Sequence, residues 1–207
     1  MIQESRNKSI LHKYIPEPAV ELISYWVFHY DFKLKIKRGR QSKYGDYRPP
    51  IKGLNHQITI NRDLNQYAFL ITLVHEIAHL SNWQKHKNSV KPHGDEWKND
   101  FKILMQPFLR MDIFPEDVKL ALLNYLLNPA ASTCTDIALL RILRKYDNKT
   151  GFVFLEELHT RAIFKTASNK LFEKGSRIRK RYLCVDITTK REYLFHPLAE
   201  VVPVEKP

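Results

Sequence analysis

The stretch LVHEIAHLSNWQKHKNSVKPHGDEW, from Leu73 to Trp97, gathers four histidines and three acids. His75 and His79 stand four residues apart, so a helix projects both imidazoles from one face toward a single ion. Glu76, next to His75, then stands beside that ion instead of binding it. Imidazole nitrogens bind zinc at about 2.0–2.1 Å, and a catalytic site keeps its fourth position open to water. The metal acidifies that water, and Glu76 is placed to take its proton during attack on a carbonyl and pass it to a leaving amine. Leu73, Val74, Ile77, Ala78 and Leu80 surround the polar trio with apolar side chains. Burying two histidines and a glutamate there is costly unless a metal compensates, which argues against a surface helix with incidental histidines.

Such a zinc needs a third protein ligand. His86 lies seven residues past His79, about 10 Å further along an unbroken helix, which is too far. Glu96 is a second candidate, but as an acid opening a helix beside Asp95 it already has a role against the helix dipole. His93 sits between Pro92 and Gly94 in a loop that can swing back over the motif, and it is the ligand chosen here. Gly at 82 and His at 85 would mark the metzincin arrangement; Asn82 and Lys85 exclude it.

These residues must be held by the elements around them. Residues 16–31 start with prolines and carry Val20, Ile23, Trp26, Val27 and Tyr30 at the spacing of one helical face. FKLKIK, Phe32 to Lys37, alternates apolar and basic as a strand does, and HQITI from His56 repeats the signal. Between them RQSKYGDYRPP, with Gly45 and paired prolines, reads as a loop. From Leu64 the period becomes helical, with Tyr67, Leu70, Ile71, Val74, Ile77, Ala78 and Ser81 along one side and Asn65 as N-cap. DEWKNDFKILMQPFLRM and FPEDVKLALLNYLLN read as further helices, and IALLRILRKY as a short one. After about residue 150, β-branched and aromatic residues alternate with basic ones, with turns at Gly175 and near Thr188, which predicts a small β-rich module. Phe152, Phe154, Ile163, Phe164, Tyr182, Tyr193 and Phe195 are its expected core.

The fold class expected is α+β, a zincin-like domain with HExxH on a helix, followed by the β-rich module. The expected divisions are 1–128, a helical connector at 129–149, and 150–207. No internal repeat or low-complexity run is present. The net charge of +12 is uneven: +5 over residues 1–50, zero over 51–140 and +7 over 141–207. Basic ends and a pI near 9.6 favour a polyanionic partner, nucleic acid before membrane. The opening MIQESRNKSILHKYIPEP has no continuous apolar run, and no stretch approaches the roughly 20 residues that span a bilayer. With Cys134 and Cys184 as the only cysteines, a disulfide framework is excluded and a reducing, cytoplasmic setting is expected.

HEIAH, followed by PHGDEWKN and preceded by a KYGDYR loop and the QITIN strand, resembles the SprT-like metalloprotease family, the relatives of Spartan. The resemblance covers roughly residues 16–110, with the His93–Trp97 element its most specific part after HExxH. It implies a zinc-dependent protease domain, one zinc per chain, with ligands at His75, His79 and His93 and Glu76 as catalytic acid/base. It also implies protein substrates, with DNA-associated proteins as the substrate class of characterised eukaryotic relatives. Many relatives carry a zinc ribbon built on two cysteine pairs; Cys134 and Cys184 cannot supply four thiolates, so the tail is expected to keep a hairpin shape without a metal. KGSRIRKRYL places Lys174, Arg177, Arg179, Lys180 and Arg181 along an expected strand, where charges on one face meet phosphates and Tyr182 or Tyr193 stacks on bases. The four from Arg177 to Arg181, Ile178 aside, are the nucleic-acid residues expected. The competing reading is a nucleic-acid-binding protein with a structural zinc; it leaves Glu76, a base beside an open metal, without a purpose. Peptide deformylase also uses HExxH, but with an upstream cysteine ligand that is missing before Cys134.

Overall fold

The computed structural model of the chain describes residues 8–40, 43–51, 53–129, 136–147 and 151–204; Cys134 and most of the NPAASTCTD connector lie outside them. The chain divides into two units, Met1–Asp147 and Asn148–Pro207. Helices and sheets are segregated along the sequence, an α+β arrangement.

In the first unit a 3-10 turn at Glu17–Ala19 leads into α1 (Val20–His29), which buries Val20, Ile23 and Trp26. A three-stranded sheet follows, in the order β1-β3-β2. β1 (Phe32–Lys37) runs parallel to β3 (His56–Asn61), from Phe32 opposite His56 to Lys37 opposite Asn61. β2 (Gly45–Arg48) pairs antiparallel with β3 and forms an edge. From sequence this stretch reads as a loop; Gly45 and the prolines hide a strand of only four residues whose existence depends on pairing with β3, beyond the intervening prolines. The alternation within it is clear once paired. Gly45 and Tyr47 face the side of the buried Ile60 and Ile58, and Asp46 and Arg48 face the other way.

α2 (Gln66–His86) begins where expected, with the Asn65 side chain accepting from the backbone N–H groups of Tyr67 and Ala68. Its burial differs from the single apolar side expected. Phe69, Leu73 and Leu80 are buried as completely as Leu70, Val74 and Ile77. The helix packs against β2 and β3 and also against α3 (Asp95–Arg110), and a helix covered on several sides is apolar around most of its circumference. α4 (Glu116–Leu127) and α5 (Ile137–Arg144) complete the unit. α5, expected in a connector, buries Leu139 and Leu143 in the same core, and Asn65 donates to the Leu143 carbonyl at 2.8 Å. Trp97, Phe69, Phe101 and Phe108 are the largest fully buried side chains of this core, each worth about 1.5–3 kcal/mol relative to exposure.

The second unit is a six-stranded sheet in the order β4-β9-β5-β6-β7-β8. Its strands are β4 (Val153–Phe154), β5 (Ile163–Lys165), β6 (Leu171–Ile178), β7 (Arg181–Asp186), β8 (Glu192–Phe195) and β9 (Glu200–Val204). Leu155, Phe164, Phe172, Cys184 and Val201 form its core. Phe152 and Tyr193, expected inside, are 38% and 39% exposed. The turn near Thr188 is present, with the Asp186 carboxylate accepting from the N–H groups of Thr188 and Thr189. Gly175 is no turn: it lies within β6 where the register shifts, and a Cβ there would stand 2.5 Å from the Leu183 carbonyl oxygen.

Candidate metal centre

His75, Glu76 and His79 lie in the middle of α2, and His93 comes from the loop entering α3. The ligand atoms of His75, His79 and His93 all lie within 4.8 Å of one another. The ring centroids are 5.0 Å apart for His75 and His79, 5.5 Å for His75 and His93, and 4.4 Å for His79 and His93. His86 ends α2 and Glu96 is exposed in the first turn of α3; neither joins the cluster.

Trp97 backs the three imidazoles, with centroids 4.6 Å from His75, 5.2 Å from His79 and 4.6 Å from His93. It stacks in turn on Phe101. The helical spacing of Trp97 and Phe101 therefore makes an aromatic floor that holds the rings and keeps water from one side. His93 adopts a φ of 61°, the left-handed region, which costs a residue with a Cβ about 1–2 kcal/mol. Backbone strain of this kind collects at functional positions; here it turns the imidazole back toward α2.

Burial holds the His75 imidazole well below its ordinary value, with His79 and His93 adding to the effect. Burial likewise pushes His79 down to about 3 and lowers His93. Each shift favours the neutral ring, the state in which imidazole offers a lone pair. Nδ1 of His75 and Nε2 of His93 are buried without a hydrogen-bond partner. Leaving such atoms unpaired costs about 1–3 kcal/mol each. Neutral, converging and unsatisfied nitrogens fit a borderline-soft divalent ion such as zinc.

Glu76 is buried beside this set. Burial pushes its carboxyl up to about 8 and the Asp46 charge adds to the shift, while a hydrogen bond from the Tyr47 N–H and the cations Lys43 and Arg40 oppose it. Gly45 permits the close approach: a Cβ there would lie 2.5 Å from Glu76 Oε1 and 2.8 Å from both Glu76 Cγ and Thr72 Cγ2. Tyr47 joins Gly45 beside the site and is not among the residues singled out from the sequence. Arg48, on the other face of the strand, pairs with Asp46 at 3.0 Å. The only sequence signal for Tyr47 is the Gly-x-Tyr alternation, which means something only once the stretch is known to be a strand.

The residues expected to meet nucleic acid lie in the second unit. Arg177 is in β6, Arg181 in β7, and Arg179 and Lys180 form the turn between them, with Arg179 at a φ of 54°. The four are exposed and crown a hairpin tip instead of lining one strand face. Lys174 does not belong with them. It is 3% exposed, donates to the carbonyls of Glu156 and Leu158, and lies 4.2 Å from the centroid of the Tyr182 ring. Among the described residues no helix is long and apolar enough to cross a membrane.

Comparison with protein families matches residues 26–115 to the SprT-like family, which is associated with metallopeptidase activity and with zinc. No curated protein and no solved structure matches the chain.

Proposed function

We propose that the chain, whose residues 26–115 belong to the SprT-like family, is a zinc-dependent endopeptidase with a zincin-like catalytic domain. The observation that carries this reading is the convergence of three imidazoles from two elements with a buried glutamate beside them. His75, His79 and His93 would hold one zinc ion, and Glu76 would not ligate it. Zinc bound there supplies a Lewis acid that polarises a peptide carbonyl and lowers the pKa of water. Glu76, fixed by the Tyr47 N–H and by contact with Gly45, accepts the proton of the attacking water. As the water oxygen bonds to the carbonyl carbon and the C–N bond breaks, the same carboxyl returns the proton to the departing amine. Trp97 and Phe101 exclude solvent from the back of the site.

The β2 edge lies beside Glu76, and an extended, unfolded polypeptide is the substrate form that suits such an edge. DNA-associated proteins are the proposed substrate class, supported by the net charge of +12 and by the exposed hairpin tip of Arg177, Arg179, Lys180 and Arg181.

The test is cleavage of an unfolded protein and of a DNA-bound protein by the zinc-loaded chain. Cleavage is expected, abolished by a chelator and restored by added zinc; zinc-loaded protein that cuts neither substrate overturns the reading. Stimulation by single-stranded DNA, lost when the four hairpin cations are replaced by Gln, is the result expected for the DNA claim.

The Gly45 contact gives a second expectation. Gly45→Ala places a methyl group against Glu76 and Thr72 and displaces the carboxylate. Since misplacement of about 1 Å can cost about 100-fold in rate, turnover should fall by at least an order of magnitude with metal content unchanged. Wild-type turnover would show that β2 shifts freely.

A further inference from the structure

Tyr47 stands where the edge strand meets the metal centre, and three different parts of it make contact there. Its main-chain N–H donates to Glu76. Its ring lies at 6° to the His79 imidazole, with centroids 6.5 Å apart. Its hydroxyl is 2.9 Å from Nδ1 of His56. His56 is itself stacked on the Tyr47 ring at 5.8 Å and meets Trp83, four residues beyond His79, edge-on at 5.1 Å. A tyrosine that only fills space has no use for this set of partners, and a phenylalanine would fill the same volume.

The placement follows from the register. Tyr47 is opposite Ile58, so its side chain points to the α2 side of the sheet, as that of a residue at Gly45 would. His56 begins β3 two residues before Ile58, on the same face, which brings its ring alongside the phenol. The hydroxyl–imidazole bond ties β2 to β3 at the level of the second histidine of the motif. The ring is then held against His79 from the sheet side, while Trp97 holds the same imidazole from α3.

We infer that Tyr47, held by His56, is a positioning residue that sets the orientation of His79 and of the Glu76 carboxylate together. Its kinetic consequence rests on the peptidase reading; its structural consequence does not. Partners one shell out from metal ligands commonly carry about 10–100-fold in metal affinity or activity.

The test uses the full chain with cobalt(II) loaded in place of zinc, whose visible absorption bands report the geometry of the ligand set, alongside kinetics of the zinc form. Tyr47→Phe keeps the ring and the main-chain N–H and removes the hydroxyl; His56→Gln removes its imidazole partner. Both variants are expected to bind cobalt, to shift its bands in the same direction, and to lower kcat by about tenfold or more with KM unchanged. Because both break one hydrogen bond, the double variant should lose little beyond either single one. Wild-type bands and kcat in Tyr47→Phe, or additive losses in the double variant, overturn the inference. A wild-type chain that cuts no peptide ends the peptidase reading, and the cobalt spectra still decide the role of Tyr47.

Discussion

Glu76→Gln is expected to keep zinc at the wild-type level and to lower peptide cleavage by about 10²–10⁴-fold, the span that general acid–base groups contribute. Gln has nearly the size and shape of Glu, and its amide oxygen can still accept from the Tyr47 N–H that now meets the carboxylate. What it cannot do is accept a proton from water and release it to an amine. The fold should not suffer. Burial disfavours the charged carboxylate at this position, so a neutral amide removes a desolvation cost and the melting temperature of the metal-free protein should be equal or higher. Proteolysis that survives in this variant, with zinc bound, would assign the base to another residue.

The second large effect is on the metal itself. His93→Ala leaves His75 and His79 on α2 but removes the one imidazole of the cluster that comes from outside the helix. Zinc affinity should fall by more than about 100-fold, since loss of an outer-shell partner alone reaches that range. Chelator competition measures it, with elemental analysis of the purified chain as the direct count. Stability should follow. A ligand at about 100 times its Kd adds about 2.7 kcal/mol to the native state, so zinc should raise the melting temperature of wild type and leave that of the variant nearly unmoved. His86→Ala is the control, because His86 ends α2 and lies outside the cluster. Full zinc retention in His93→Ala would mean the ligand set is wrong.

The pair His75 and His79, with Glu76 next to them, could be read from sequence because the geometry of residues four apart on one helix is local. The N-cap at Asn65, the two longer strands and the helix starts were legible for the same reason: each is decided by neighbours within a few positions. His93 was reachable by elimination and chain length, although its left-handed backbone was not.

Other features are products of the tertiary structure. β2 exists because β3 pairs with it, and only that register reveals that Gly45 makes room for Glu76 and that Tyr47 joins His56 beside His79. α2 is buried nearly all round because a sheet and a second helix both cover it. The basic run from Arg177 to Arg181 folds into a hairpin tip because the chain reverses at Arg179 and Lys180, while Lys174 is drawn inside by two carbonyls and an aromatic ring. Sequence by itself determined which groups could do the chemistry, since side-chain type and helical period are carried in the chain. Long-range pairing decided what surrounds those groups, because contacts between residues far apart in sequence leave no periodic trace in either segment.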